Sequence, residues 1–373
     1  MPIYMDRHDL PGEITAEDVA KVHQEDLKIQ SQYGCRGLTY WFDEKRGTAF
    51  CLIEAPDKNA VKEMHDQAHG MIPNRIIEVD SKVVNAFLGR IQNPSSFGPV
   101  NEQESDVINE SAFRTIMFSN VLDFSILKAK FGKEIAYSVL RLHNEIVRKA
   151  TEHCGGREVK CLRDGFIASF CSSTSGLECA RVIQKELKDQ NKHPDYPVLQ
   201  IRIGISAGPP VSSDPEFFGS AVHLAQRLCY VAGSDRIIIS AEVKKQITEE
   251  EPASFTDMRI TALTAGDEEF LNRLMDVTES VWNEEGFNVC DFGKRVGSSK
   301  AQLYRKTTML CGYSPNNFMK EYRLRKAAEA IEKQQGNTSE IAYKSGFSSP
   351  SYFTKCFNQR FGILPSSFAA AIT

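Results

Sequence analysis

The chain has 373 residues, 25% of them charged and 41% hydrophobic, with a formal net charge of −4. That length exceeds one ordinary core and suggests two to four domains of normal globular composition. No stretch approaches eighteen apolar residues, which excludes a membrane-spanning helix as the expectation.

In chain order, PIYMDRH reads as a short strand, and LPGEITAEDVAKVHQEDLKIQSQYG as a helix that Thr15 opens before acidic first-turn residues. CRGLTYWFDEKRGTAFCLIEAP predicts two strands around a turn from Asp43 to Gly47. A helix over about 57–69 and the strand RIIEVD complete two βαβ halves, the pattern of an α+β ferredoxin-like sandwich over residues 1–90. The linker predicted over 91–112 contains QNPSSFGPVNEQESDVINESA, rich in Pro, Ser, Asn and acid and without an apolar period.

Residues 113–262 alternate again, as an α/β domain with strands RTIMFSNV, GFIASF and QIRIGISAG. Its helices are ILKAKFGKEIAYSVLRLHNEIVRKATEHC, read as continuous, SGLECARVIQKELKDQ and SAVHLAQRLCYVA. Residues 268–373 carry helical periodicity throughout and no convincing strand, an all-α domain. Ten cysteines are scattered without a CxxC pair, the usage expected of reduced thiols. The opening MPIYMDRHDLPG has no basic-then-apolar leader, so a cytoplasmic protein is expected.

The net charge hides an asymmetry. From Cys290 to Thr373 there are 13 Lys/Arg against 5 Asp/Glu, leaving 32 against 44 upstream. A basic end on an acidic body is the layout expected when that end meets a polyanion. Within it, VCDFGKRVGSSKAQLYRKTTMLCG reads as helix, turn at Gly297-Ser298 and a second helix capped by Ser298 or Ser299. SEIAYKSGFSSPSYFTKCFNQRFG repeats this with a turn at Gly346 and a cap at Ser348 or Ser349. The long amphipathic helix of YSPNNFMKEYRLRKAAEAIEK separates them, so two probes can enter successive major grooves about 34 Å apart.

This region resembles the AraC-type regulators. The matches are Ser299, Leu303, Arg305, Gly312, Ser314, Pro315 and Phe318, then Arg323, Leu324 and Ala327 on the connecting helix. Ile341, Ala342, Gly346, Phe347, Ser351, Phe353, Phe357, Gly362 and Pro365 continue the match. The resemblance implies double-stranded DNA as partner, read by Ala301, Tyr304 and Arg305 in the first unit and by Pro350, Ser351, Thr354 and Lys355 in the second. Arg305 is the candidate for a bidentate guanine contact, with Lys300, Lys306, Lys320 and Arg360 on phosphates. The alternative is a helical bundle with a solvated basic face.

Four of the eight histidines, His8, His23, His65 and His69, fall near the N-terminus. His65 and His69 stand at i,i+4 and share a helix face, a donor type that suits nickel, zinc or copper. The stretches DRH, TAEDV, FCLIEAP and HDQAHG resemble a small ferredoxin-like family of nickel-binding proteins. That resemblance implies that His8, His23, His65 and His69 share a nickel or other divalent site, completed by Glu54, Cys51 or Tyr40. The competing explanation is surface histidines with an accidental HxxxH.

The middle region resembles class III nucleotide cyclases through FSNVLDFS, KCLRDG, RIGISAGP and GSAVHLAQR. The resemblance places Lys160, Asp164, His223 and Arg227 at nucleotide-binding positions. Asn120 stands at the first metal-carboxylate position, His223 at that of the transition-state Asn, and Arg163 replaces a glycine. One remaining carboxylate cannot balance two divalent ions, so no enzyme activity is expected. The domain is left as a dimerisation scaffold, a nucleotide binder without turnover, or a residual cyclase. The whole reads as a homodimeric regulator whose upstream domains sense a metal ion or nucleotide. A nucleotide cyclase with a DNA-targeting tail and a metal-buffering protein are the rivals.

Overall fold

Alternation along the first strand decides how the N-terminal domain is layered. In the computed structural model, which describes residues 1–10, 12, 14–94, 107–192, 197–250 and 259–372, Tyr4 and Met5 of β1 (Ile3–Asp9) belong to different cores. On Tyr4's side lie α1 (Ala16–Ile29) and α2 (Lys58–His69). Thr15 caps α1 in a reciprocal box with Asp18, and Asp57 caps α2. β2 (Arg36–Asp43), β3 (Thr48–Glu54) and β4 (Arg75–Val79) complete an antiparallel sheet in the order β2-β3-β1-β4. This is the ferredoxin-like arrangement.

The sheet's second face carries Met5, Trp41, Phe50, Leu52 and Ile77, joined by Val84 and Phe87 of α3 (Ser81–Leu88). It packs on Ile116, Phe118 and Phe218 of the middle domain. Burial on both faces explains the nearly unbroken apolar runs of β2 and β3.

Within the predicted linker, 95–106 lies outside the described residues. The remainder near the middle domain is docked. Ile108 donates its N–H to the Tyr40 hydroxyl at 3.0 Å, Ser111 bonds Asp43 at 2.6 Å, and Glu110 pairs with Arg90 and Arg114, each at 3.1 Å. Ile108 and Ala112 are buried, but two apolar positions are too few to produce a period.

The middle domain contains β5 (Arg114–Val121), α4 (Phe124–Phe131), α5 (Lys133–His153), β6 (Arg157–Cys161), β7 (Gly165–Phe170) and α6 (Ser173–Gln190). It continues with β8 (Ile201–Gly208), α7 (Gly219–Val231), β9 (Ile237–Ile239), α8 (Ala241–Glu250) and β10 (Ile260–Ala262). Its sheet order is β10-β9-β8-β5-β7-β6, with β8, β9 and β10 parallel and the other pairs antiparallel. The helix expected to run unbroken from Ile126 divides at Gly132, whose φ of 85° and ψ of 162° leave the helical region. The break lets α4 reach a second core while Phe124 stays in the one that α5 serves. Val139 and Val147 of α5 enter the middle domain, while Ile126 of α4 enters the helical module.

That module comprises α9 (Ala265–Val281), α10 (Val289–Val296), α11 (Lys300–Cys311), α12 (Pro315–Glu332), α13 (Thr338–Lys344), α14 (Pro350–Phe361) and α15 (Pro365–Ile372). Leu271 and Leu274 of α9, Phe292 of α10, Leu303 of α11 and Phe318 of α12 share a core with Leu228 and Val231 of α7. Leu324, Ile341, Phe347, Phe353, Phe357 and Phe368 form the second core around Ile126. Phe357 is fully buried. Phe357→Ala is expected to cost about 3–5 kcal/mol through lost transfer energy and a cavity. Chemical denaturation followed by far-UV circular dichroism checks this, and an unshifted helical transition contradicts it.

Candidate functional site

The N-terminal histidines meet on the helix-covered side of the sheet. β1 supplies Asp6 and His8 as alternate residues, β3 supplies Cys51, α1 supplies Asp26, and α2 supplies His65 and His69 one turn apart. His65 Nε2 lies 2.8 Å from Asp6 Oδ2, and its Nδ1 lies 3.0 Å from Asp26 Oδ1. His69 Nε2 is 3.1 Å from the same Asp26 oxygen, and His8 Nε2 is 3.4 Å from Asp6 Oδ1. The Cys51 N–H donates to Asp6 at 3.0 Å.

Two donor groups result, Asp6–His8–Cys51 and Asp26–His65–His69, with the ligand atoms of each within 4.8 Å of one another. His65 links them. Burial alone would lower the pKa of His65, but the Asp6 and Asp26 carboxylates outweigh it and raise it to about 10. Burial opposes ionisation of Asp6 and Asp26 as well, yet the surrounding imidazoles hold both carboxyls below their usual range. Burial, reinforced by Asp6 and Asp26, pushes the Cys51 thiol well up.

The donors fit a divalent transition ion. His8 Nε2 and Asp26 Oδ1, one in each group, are buried without a hydrogen-bond partner of acceptable geometry, an expense that ion coordination would remove. Imidazole nitrogens, carboxylate oxygens and one thiol suit nickel or zinc. His23 lines the same cavity of about 130 Å³ but stands outside both donor groups, its ring 4.8 Å from that of Tyr40. Of the completing groups expected, Cys51 is in place. The Tyr40 hydroxyl accepts from Ile108, and Glu54 pairs with Arg36 at 2.5 Å. Asp6 and Asp26 were not singled out as ligands in the sequence. Their signal is positional: Asp6 precedes His8 by two on a strand, and Asp26 follows His23 by three on a helix.

The middle domain separates its expected nucleotide residues. Asp164 and Asn120 line a cavity of about 290 Å³ with Asp123 and Arg202, closed on one side by Arg325 and Ala328 of α12. Asn120 donates to the Asp164 carbonyl at 3.1 Å and accepts from the buried Arg202 at 2.9 Å. His223 and Arg227 border a different cavity, of about 400 Å³, against α9 and α12. Arg227 is engaged there by Asp276, by Asn272 at 2.8 Å and by Glu279 at 3.6 Å, all on α9. His223 lies 3.3 Å from Asp214 and 3.6 Å from Glu216. Lys160 is exposed on β6, outside both cavities.

Each helix-turn-helix unit presents its second helix. Ser299 caps α11 by accepting from the Gln302 N–H, and Ser349 caps α14 by accepting from Tyr352. On α11, Leu303, Thr307 and Leu310 point into the core, while Lys300, Ala301, Tyr304 and Arg305 are exposed. On α14, Phe353, Cys356 and Phe357 are buried, Ser351 and Lys355 are exposed, and Pro350 and Thr354 are half-buried. Lys306 and Arg360, expected on phosphates, are engaged within the protein. Lys306 turns back to Asp267 at 3.3 Å and to the Gly266 carbonyl at 3.2 Å. Arg360 makes two bonds to Glu321, at 2.7 and 2.8 Å, and pairs with Asp123 at 2.8 Å. Carboxylates inside the protein occupy both cations.

Family models match three successive stretches. One described as nickel responsive protein SCO4226-like covers residues 4–79, the adenylate and guanylate cyclase catalytic domain covers 108–271, and a helix-turn-helix domain covers 292–371. Histidine kinase P4 of Formosa agariphila is 36% identical over 102 residues, which are 27% of this chain and 7% of the kinase. The adenylate cyclase of Podospora anserina is 24% identical over 221 residues, 52% of this chain and 10% of that enzyme. The chain thus spans a tenth or less of these relatives. The solved structure of SCO4226 from Streptomyces coelicolor shows 32% identity, with 21% of this chain and 94% of that chain covered and a TM-score of 0.20. Among the described residues no helix is long and apolar enough to cross a membrane.

Because His65 carries a proton up to about pH 10 in the metal-free protein, an ion that takes either of its nitrogens must displace that proton. Nickel binding is therefore expected to release protons at pH 7 and to tighten as pH rises toward 9. Calorimetry in buffers of different ionisation enthalpy measures the release, and buffer-independent heats contradict the assignment of His65 as a ligand.

Proposed function

We propose that this chain, which joins an SCO4226-like domain, a class III cyclase domain and an AraC-type helix-turn-helix domain, is a cytoplasmic, sequence-specific DNA-binding transcription regulator. The observation that carries this reading is the pair of capped second helices, α11 and α14, with polar faces exposed on a module whose long helix α12 spaces them. Lys300, Ala301, Tyr304 and Arg305 would read one major groove, and Pro350, Ser351, Thr354 and Lys355 the next. Bases are read by the tips of these helices, while phosphate contacts set register.

The upstream domains supply sensing and assembly. A nickel ion held by donors among Asp6, His8, Cys51, Asp26, His65 and His69 would supply a fixed positive charge that orders α1 and α2 over the sheet. The opposite face of that sheet lies on the middle domain, so a change in strand packing has a direct route to the rest of the molecule. Metal or nucleotide shifts DNA binding only to the extent that it favours one arrangement over another. A homodimer would place two such modules on a symmetric operator.

The rival reading, a cyclase with a DNA-targeting tail, draws on the catalytic-domain match. Against it stand Asn120 at a metal-carboxylate position and the engagement of Arg227 by acids of α9. Neither Mg²⁺ nor Mn²⁺ is expected to support cyclic nucleotide formation from ATP or GTP, and Asn120→Asp alone is not expected to restore it while Asp276 and Glu279 hold Arg227. Product detection by chromatography checks this, and turnover by the parent chain would move the protein to the enzyme reading.

The regulator reading is tested by selecting bound fragments from genomic DNA with the full chain, with and without nickel and ATP. On a selected site, Arg305→Ala is expected to weaken binding by about 1–3 kcal/mol and to relax preference at one base position. Fluorescence anisotropy against single-base operator variants measures both effects. Undiminished, equally selective binding removes Arg305 from the interface.

A further inference from the structure

Glu332, at the end of α12, sits in a nest of donors that the middle domain provides. Its carboxylate accepts from Ser125 Oγ at 2.5 Å and from Lys128 Nζ at 2.6 Å, both on α4, and from the Arg163 guanidinium between β6 and β7. Lys128 is only 8% exposed. A lysine so deeply placed needs a counter-charge, because a buried ammonium loses its hydration. Burial works against the Glu332 charge, but these three donors hold its carboxyl down to about 2.

The same corner grips the second helix-turn-helix unit in two further ways. Asp123 binds Arg360 of α14 at 2.8 Å, and Ile126 lies in the core with Leu324, Phe357 and Phe361. At the nest itself, two cations and a hydroxyl face one carboxylate. A phosphoryl group offers the same acceptor oxygens with more negative charge, and guanidinium and ammonium groups bind it through charge-assisted bonds. Asp164 lines the adjoining cavity and would repel an anion drawn deeper, which keeps the anion at the mouth formed by Ser125, Lys128 and Arg163.

We propose that Ser125, Lys128 and Arg163 form a phosphoryl-binding site that Glu332 fills when the DNA module is docked, so that a small phosphate-bearing ligand competes with Glu332 and loosens the second helix-turn-helix unit from the middle domain. Loosening frees Arg360 from Asp123 while its two bonds to Glu321 of α12 stay, and lets the second unit adjust its position relative to the first. The regulatory consequence rests on the DNA-binding reading, whereas the binding site does not. A ligand that binds only the undocked arrangement shifts the balance by mass action.

The test is calorimetry on the full chain with pyrophosphate, with inorganic phosphate and ATP as separate arms at matched ionic strength. Glu332→Gln removes the internal competitor's charge and is expected to tighten pyrophosphate binding roughly tenfold, while Arg163→Gln, an exposed position that leaves the core untouched, weakens it by a similar factor. A preference for ATP assigns the ligand to nucleotides, and comparable affinities assign it to the phosphoryl group alone. Absence of binding in every arm, or affinities unchanged by both variants, overturns the proposal. In a parallel anisotropy titration, saturating pyrophosphate is expected to tighten DNA binding by the parent and to have little effect on Glu332→Gln. Pyrophosphate binding without any DNA binding would remove the regulator reading and leave the site standing. DNA binding that ignores pyrophosphate would remove the latch.

Discussion

Shared apolar cores hold the three domains in one arrangement, and most other features depend on them. Leu228 and Val231 of α7 complete the core of the first helix-turn-helix unit, and Ile126 of α4 completes that of the second. The ferredoxin-like sheet in turn covers Ile116, Phe118 and Phe218 with the face opposite α1 and α2. Burying a large aliphatic or aromatic side chain contributes about 1.5–3 kcal/mol, so a junction made of several such residues is a substantial part of a domain's stability. The recognition helices are therefore not carried on a loose tether. Their spacing is referred to the middle domain.

The N-terminal sheet shows why one thin layer can serve both a cluster of metal-type donors and an interface. Side chains alternate, so Asp6, His8 and Cys51 reach the helix side while Met5, Phe50 and Leu52 reach the middle domain. The acids that hold His65 protonated are also the oxygens that orient it, so a metal would compete with the proton for one preorganised position.

In the middle domain, polar groups around the two cavities hold one another and the helical module. Arg227 is held by α9, Arg202 by the amide of Asn120, and the corner around Ser125 by Glu332. Asn120 gives Arg202 a neutral acceptor, a weaker hold on a buried cation than an ion pair would be. The charges of this corner face a protein neighbour.

How much was legible in the sequence follows from the range of each interaction. Caps, turns and periodicity act within a few residues, which is why Thr15, Ser299, Ser349 and the glycines at 297 and 346 announce their helices. The His65/His69 pair and the groove faces of α11 and α14 are legible for the same reason, since one helix suffices to align them. Gly132 was passed over because an isolated glycine is tolerated inside a helical pattern, and the need for the break lies in the two separate cores that its flanks serve. Asp6 and Asp26 acquire meaning only when a strand and a helix bring them to His65. Lys306 and Arg360 look like phosphate contacts from their place on a recognition helix, but Asp267, Glu321 and Asp123, far away in the chain, take those charges. Local chemistry in the sequence thus determined the elements and the identities of the candidate donors. Tertiary packing alone decided which charge meets which, because a Coulombic partner is chosen by distance in space and not along the chain.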